Sequence, residues 1–146
     1  MNFKKNTEYL SRRISPEDRY EDLLRFPRFI EVETVNVCNA RCPMCTIEDW
    51  ERGAPSIKDN LFKKIADEIV DHADEIHRVS LYRDGEPLID KKKPNRISLL
   101  KDGGIKNVAL STNVSLLNPK KAEDLLHAGI CLLYTSDAAD ERSSVD

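Results

Sequence analysis

Three cysteines occupy eight consecutive residues of the chain, in the segment CNARCPMC with the spacing C-x3-C-x2-C. They are Cys38, Cys42 and Cys45, and they follow a stretch whose polar and apolar residues alternate as in a β-strand. Thiolates at such short spacing bind soft metal ions or iron–sulfur clusters. The segment therefore predicts a metal centre in the loop after the first strand.

The number of thiols narrows the kind of metal centre. A structural zinc ion takes four ligands, and a ferredoxin-type iron–sulfur cluster takes four thiolates. No histidine lies at ligand spacing in this loop, since the chain has only His72, His77 and His127. Three thiolates fit an iron–sulfur cluster with one iron open to an outside ligand, which is how a metal site becomes catalytic. The alternative is a small zinc- or iron–sulfur-binding module without catalysis.

The rest of the chain alternates between strands and helices. The pattern predicts strands over residues 25–37, 77–83 and 106–112, helices over residues 56–76, 95–104 and 118–129, and a fourth strand opening at Ile130. This order is typical of an α/β fold with a parallel sheet, in which sites collect at the carboxyl ends of the strands. The cysteine loop, the segment DGEP (84–87) and the segment STN (111–113) all follow strands, so we expect them to meet at one edge.

Local signals set the expected helix boundaries. Ser56 and Asp59 form a capping-box pattern before the first helix, whose apolar stripe is expected to consist of Leu61, Ile65, Ile69 and Ala73. A glycine pair at 103–104 is expected to stop the second helix. Asn118 and Gly129 are expected to cap and end the third.

The segment CNARCPMC resembles the cluster motif of the radical S-adenosylmethionine (radical SAM) enzymes, and the resemblance covers roughly residues 26–130. It implies the N-terminal half of a partial (βα)6 TIM-like barrel. Cys38, Cys42 and Cys45 would hold three irons of a 4Fe-4S cluster, and the fourth iron would chelate S-adenosylmethionine. Reductive cleavage of that cofactor would give a 5′-deoxyadenosyl radical that abstracts hydrogen from a substrate.

The resemblance also assigns cofactor-binding positions. Met44 would lie near the adenine. The segment DGEP resembles the glycine–glutamate–proline motif that receives the methionine amino group. The segment STN resembles the end of the third barrel strand, although Val114 replaces a glycine of the family pattern. The expected cofactor-binding residues are Met44, Gly85, Glu86, Pro87, Ser111 and Asn113.

Strand alternation adds one expectation from the residues themselves. Ile30 and Val32 suit the face of the first strand that meets the helices, which would aim Glu31 and Glu33 inward. We expect these two carboxylates to line the cofactor or substrate cavity. A solvated edge face is the alternative.

Composition and charge exclude several function classes. A formal charge of −3 does not favour nucleic acid or an anionic membrane as partner. No apolar run reaches the length of a membrane span, and the charged N-terminus lacks the apolar core of a signal peptide. We expect a cytoplasmic protein with reduced thiols, and the family resemblance implies an electron donor such as a flavodoxin or ferredoxin.

The two ends of the chain are expected to differ from its middle. Residues 1–25 predict a helical lead before the barrel segment at 26–130. Residues 131–141, CLLYTSDAADE, resemble the translation of a sequencing-library adapter, so the tail at 131–146 is expected to be non-native. The lead into the cysteines resembles relatives with a C-terminal auxiliary-cluster (SPASM) domain, which act on peptides or in carbohydrate pathways. We expect the chain, as a truncated fragment, to be inactive by itself.

Overall fold

The structure is a computed structural model, and it describes residues 26–49, 51 and 55–135. The expected helical lead at 1–25 lies outside the described residues, as does the chain after residue 135.

Four short parallel strands form one sheet. Strands β1 and β2 pair in parallel, as do β2 and β3, and β3 and β4, so the spatial order follows the sequence. A helix precedes each strand after the first, as expected of repeated βα units. The predicted α/β class is confirmed. The strands are β1 (Phe29–Glu31), β2 (Arg78–Ser80), β3 (Val108–Thr112) and β4 (Leu132–Thr135), and the helices are α1 (Asp59–Asp71), α2 (Lys93–Asp102) and α3 (Pro119–His127).

The core lies between the two central strands and the helices. Val79, Leu81, Val108 and Leu110 are completely buried. Burial of each such side chain contributes about 1.5–3 kcal/mol relative to leaving it exposed. The central strands are therefore the rigid base from which the loops at their carboxyl ends project.

Helix α1 begins later than predicted, and the expected capping box is wrong. Ser56 pairs with Val35 in an isolated antiparallel bridge, and the N-cap position falls on Lys58 without a side-chain cap. The bridge fixes Ser56 in extended backbone, so its hydroxyl is not placed to cap the helix.

The buried stripe of α1 also differs from the expected one. It consists of Phe62, Ala66 and Ile69, whereas Leu61 is exposed. A strict i+4 repeat drifts about 40° per step around a helix of 3.6 residues per turn. The observed i, i+4, i+7 spacing stays on one face.

Helices α2 and α3 end as the sequence predicts. Gly104 adopts φ +95° after α2 and Gly129 adopts φ +87° after α3, the left-handed conformation in which helices commonly stop. Asn118 caps α3, because its side-chain oxygen accepts a hydrogen bond from Lys121 N at 2.9 Å. No helix in the described part of the chain combines the length and apolarity needed to cross a membrane.

Candidate functional site

The loops after β1, β2 and β3 meet at the carboxyl edge of the sheet, as predicted. The backbone of the DGEP segment contacts the approach to the cysteine loop, since Glu86 N donates to Val37 O at 2.9 Å. The side chain of Glu86 reaches the end of β3. Residues from three separate loops are therefore joined at one edge.

Gly85 allows the closest approach between two of these loops. A Cβ atom at this position would lie 2.0 Å from Val35 O and 3.1 Å from Val37 O, both backbone atoms. Only glycine lets the DGEP segment lie this close to the chain that leads into Cys38.

The carboxylate of Glu86 is buried and receives three hydrogen bonds. Oε1 accepts from Leu88 N at 2.9 Å and from the Thr112 hydroxyl at 2.6 Å. Oε2 accepts from Asn113 N at 2.9 Å. Glu86 therefore joins the DGEP segment to the end of β3, and Pro87, also buried, begins a short 3-10 turn at Pro87–Ile89.

Glu33 and Glu31 have different surroundings. Oε1 of Glu33 lies 3.2 Å from Asp84 N and 3.3 Å from Gly85 N, so this carboxylate holds the start of the DGEP segment. Glu31 is exposed and pairs with Arg83 at 3.5 Å. Glu33 thus lies at the expected edge, and the lining of a cavity by Glu31 and Glu33 stays a prediction.

The three motif cysteines share one loop but do not converge on a point. Cys38 and Cys42 are partly buried, Cys45 is exposed, and all three are free thiols. Among residues 26–49, 51 and 55–135, no group of three His, Cys, Asp or Glu side chains is arranged to hold a metal ion. Three reduced thiols in one loop are nonetheless the soft donor set that an iron–sulfur cluster requires. The donors fit such a cluster chemically.

The remaining predicted residues are spread around this edge. Met44 is exposed and Ser111 is partly buried in β3. Asn113 makes direct contact with the cysteine loop, because its Nδ2 lies 3.8 Å from Cys38 Sγ.

Two further residues belong to the site and were not predicted from the sequence. Asn39 and Ser115 both bond to the side chain of Asn113. Asn39 lies inside the cysteine motif and Ser115 lies two residues after the STN segment, so both are in or near recognised motifs. Their pairing across 76 residues has no local sequence signal.

A buried charged group supports the same edge from the helix side. Lys93 Nζ donates to the Thr34 hydroxyl and to Leu81 O, the latter at 2.8 Å, and lies 3.7 Å from Asp90. Loss of water around the ammonium lowers the pKa of Lys93 to about 8, although Asp90 opposes the shift. Arg96 also pairs with Asp90, at 3.1 Å. This group ties α2 to the ends of β1 and β2.

The chain is similar to several known proteins. A curated relative from Pyrococcus furiosus, a tungsten-containing aldehyde ferredoxin oxidoreductase cofactor-modifying protein, is 28% identical over 109 residues, which is 75% of this chain and 30% of the relative. The fold is similar to that of BtrN in complex with AdoMet and 2-DOIA, with a TM-score of 0.67 at 24% identity over 76% of this chain and 46% of BtrN. It is also similar to a selenomethionine form of BtrN in an open conformation, with a TM-score of 0.66 at 21% identity over 78% of this chain and 58% of that one.

The chain thus spans under a third of the curated relative and about half of each BtrN chain. The model of the Radical SAM superfamily matches residues 32–141. This range includes the cysteine loop, the DGEP segment and the end of β3. Because the family model matches most of the chain, including the loops at the carboxyl edge of its parallel sheet, the chain belongs to the radical SAM superfamily.

Proposed function

We propose that this chain is the N-terminal part of an enzyme that binds a 4Fe-4S cluster and S-adenosylmethionine at the carboxyl edge of its sheet. Cys38, Cys42 and Cys45 would hold the cluster. When bound, that cluster would supply the electron that cleaves S-adenosylmethionine to methionine and a 5′-deoxyadenosyl radical, and that radical would remove hydrogen from a substrate. The observation that carries the proposal is the Glu86 carboxylate, which joins the DGEP segment to Thr112 and Asn113 beside the cysteine loop.

The chain's own residues would position the cofactor rather than react with it. Gly85 lets backbone carbonyls approach the site closely, and an ammonium such as the methionine amino group needs such acceptors. The carboxylates of Glu33 and Glu86 accept backbone N–H groups around this segment. These bonds would hold the segment in one shape before the cofactor arrives, which lowers the entropy cost of binding.

Three other residues complete the proposed cofactor site. Pro87 would stiffen the segment, and Met44 and Ser111 would contact the cofactor. We propose a flavodoxin or ferredoxin as electron donor, and a reducing cytoplasm as the compartment in which three free thiols persist.

The substrate class belongs to the same proposal. The relatives that the lead into the cysteines resembles modify peptides or act in carbohydrate pathways, and we propose one of these classes. An auxiliary-cluster SPASM domain would contribute to the substrate site.

Anaerobic reconstitution of the chain with iron and sulfide tests the cluster assignment. We expect a brown protein whose reduced cluster gives an electron paramagnetic resonance (EPR) signal that shifts on addition of S-adenosylmethionine. Replacing Cys38, Cys42 and Cys45 with alanine should remove the iron. Cys131→Ala is the matched control, since Cys131 lies outside the motif and its sulfur contacts Lys106 O at 3.0 Å.

Two results would contradict the proposal. A colourless protein that binds zinc would favour the small metal-binding module. A cluster whose EPR signal ignores S-adenosylmethionine would favour an iron–sulfur module without catalysis.

A further inference from the structure

We propose that Asn113 is a positioning residue that donates a hydrogen bond to the Cys38 sulfur and thereby raises the reduction potential of the bound iron–sulfur cluster. This inference rests on the proposed function for the cluster itself. It goes beyond it in assigning Asn113 to the sulfur of a ligand instead of to S-adenosylmethionine, and it adds Asn39 and Ser115 to the site.

The orientation of the Asn113 amide follows from its hydrogen bonds. Its Oδ1 lies 3.1 Å from Ser115 N, and a backbone N–H can only donate. Oδ1 must therefore be the acceptor on that side. The Nδ2 group is then fixed on the opposite side, where Cys38 Sγ lies at 3.8 Å and Asn39 Oδ1 at 3.2 Å.

Three side chains form a closed hydrogen-bond ring, which we call the amide ring and which consists of Asn39, Asn113 and Ser115. Asn113 Nδ2 donates to Asn39 Oδ1. Asn39 Nδ2 donates to Ser115 Oγ at 2.6 Å, and the Ser115 hydroxyl donates to Asn113 Oδ1 at 2.6 Å. The ring uses one of the two Asn113 amide hydrogens. The second hydrogen is left for the Cys38 sulfur.

The backbone around Asn113 holds the ring in place. Asn113 N donates to the buried Glu86 carboxylate at 2.9 Å. The next residue, Val114, has φ +56° and donates its N–H to the Thr112 hydroxyl at 3.1 Å. Asn113 is therefore fixed to the end of β3 by bonds that do not involve the cysteine loop.

The predicted electronic effect has a definite sign. A donor near a cluster sulfur stabilises the more negative, reduced state, and hydrogen bonds to sulfurs are among the factors that set the potential of these clusters. Removal of the Asn113 amide should therefore make the cluster harder to reduce.

A redox titration of the anaerobically reconstituted chain, followed by EPR, tests this. At the wild-type midpoint we expect Asn113→Ala to lower the ratio of reduced to oxidised cluster about tenfold, which corresponds to about 59 mV for one electron. Iron content should match the wild type. Ser115→Ala, which breaks the ring but keeps the Asn113 amide, should shift the potential in the same direction and by less. Asn107→Ala is the matched control, because Asn107 Nδ2 donates to His77 O away from the cysteine loop, and it should not shift the potential.

Each outcome decides the assignment. An Asn113→Ala cluster at full iron content with the potential of Asn107→Ala would overturn the inference and leave the proposed function intact. If Asn113→Ala holds no cluster, Ser115→Ala decides, and a wild-type potential in that variant overturns the inference. A wild-type chain that binds no cluster overturns both the proposed function and the redox role.

The ring can be tested without any metal. In the metal-free chain, Asn39→Ala and Ser115→Ala should lower stability in a non-additive way, because either change alone opens the same ring. Additive losses in this double-mutant cycle would show that the ring does not form.

Discussion

At the scale of single residues, two positions of the site each require one particular residue type. Gly85 lies against the carbonyl of Val35, and the Glu86 carboxylate accepts three N–H or O–H donors. A glycine before a glutamate is common in turns. Glycine is required here because Gly85 packs against the backbone of Val35, 50 residues away in the sequence. The sequence therefore predicted the DGEP segment but not this contact.

Gly85→Ala should destabilise the chain by about 2–4 kcal/mol, since a Cβ 2.0 Å from a carbonyl oxygen forces the backbone to move. The matched control is Gly104→Ala. There a Cβ meets only Ala73 at 3.8 Å, and the strain of φ +95° should cost about 1 kcal/mol. Urea unfolding of both variants measures the difference. Equal losses would mean that the loops do not approach as closely as described.

Lys93 predicts a pH dependence. Below pH 8 the ammonium is charged in both states, and folding carries the cost of burying it. The folded-state pKa of about 8 lies below the ordinary 10.5, so between these values the unfolded chain binds more protons and stability rises with pH. Relative to Lys93→Met, the wild type should gain up to about 3 kcal/mol across this window.

Urea unfolding at pH values on both sides of that window checks the Lys93 prediction. Lys91→Met is the control for loss of a lysine at an exposed position. Wild type and Lys93→Met curves that stay a constant distance apart would mean that Lys93 is not the group that titrates.

At the scale of elements, sequence predicted what local chemistry determines. Asn118 caps α3, and glycines end α2 and α3, because caps and left-handed residues act within a few positions. The capping box at Ser56 failed because a distant residue, Val35, holds that segment extended. The strands were also predicted too long, because each strand ends where its pairing with the neighbouring strand stops.

The turn after β3 has the backbone conformation that glycine adopts readily, although the residue there is Val114. Val114 stands where the family pattern has glycine, and among the described residues it is the one non-glycine with positive φ. A β-branched residue tolerates this conformation poorly. The turn therefore keeps the shape for which glycine is suited, and after this turn Ser115 bonds to the Asn113 side chain.

Val114→Gly should stabilise the chain by about 1 kcal/mol, because relief of the strained φ exceeds the added freedom of the unfolded chain. Val37→Gly is the matched control, since Val37 is partly exposed in a neighbouring loop and has no positive φ. That variant should lose stability. Thermal unfolding of the two variants decides, and a loss in Val114→Gly would mean that the turn is not strained.

At the scale of the whole molecule, parallel pairing explains why the site could be located before any contact was known. All carboxyl ends of a parallel sheet lie at one edge, so the order of strands and motifs was enough to bring the three loops together. The long-range hydrogen bonds of Glu86 and the amide ring were not predictable, because they depend on the spacing between strands and on the turn at Val114.

The outer edge of β4, a strand that lies within the tail expected to be non-native, is exposed. Leu132, Leu133 and Tyr134 are exposed, and within residues 26–49, 51 and 55–135 no strand pairs with that edge. An exposed apolar edge strand pairs readily with another chain.

We expect the chain to self-associate as its concentration rises. Tyr134→Lys should increase the monomer fraction measured by sedimentation velocity, because a charge on an edge strand opposes pairing between chains. His127→Lys, at an exposed position on α3, adds a lysine elsewhere and should not have this effect. A wild-type chain that stays monomeric at high concentration would mean that this edge is protected.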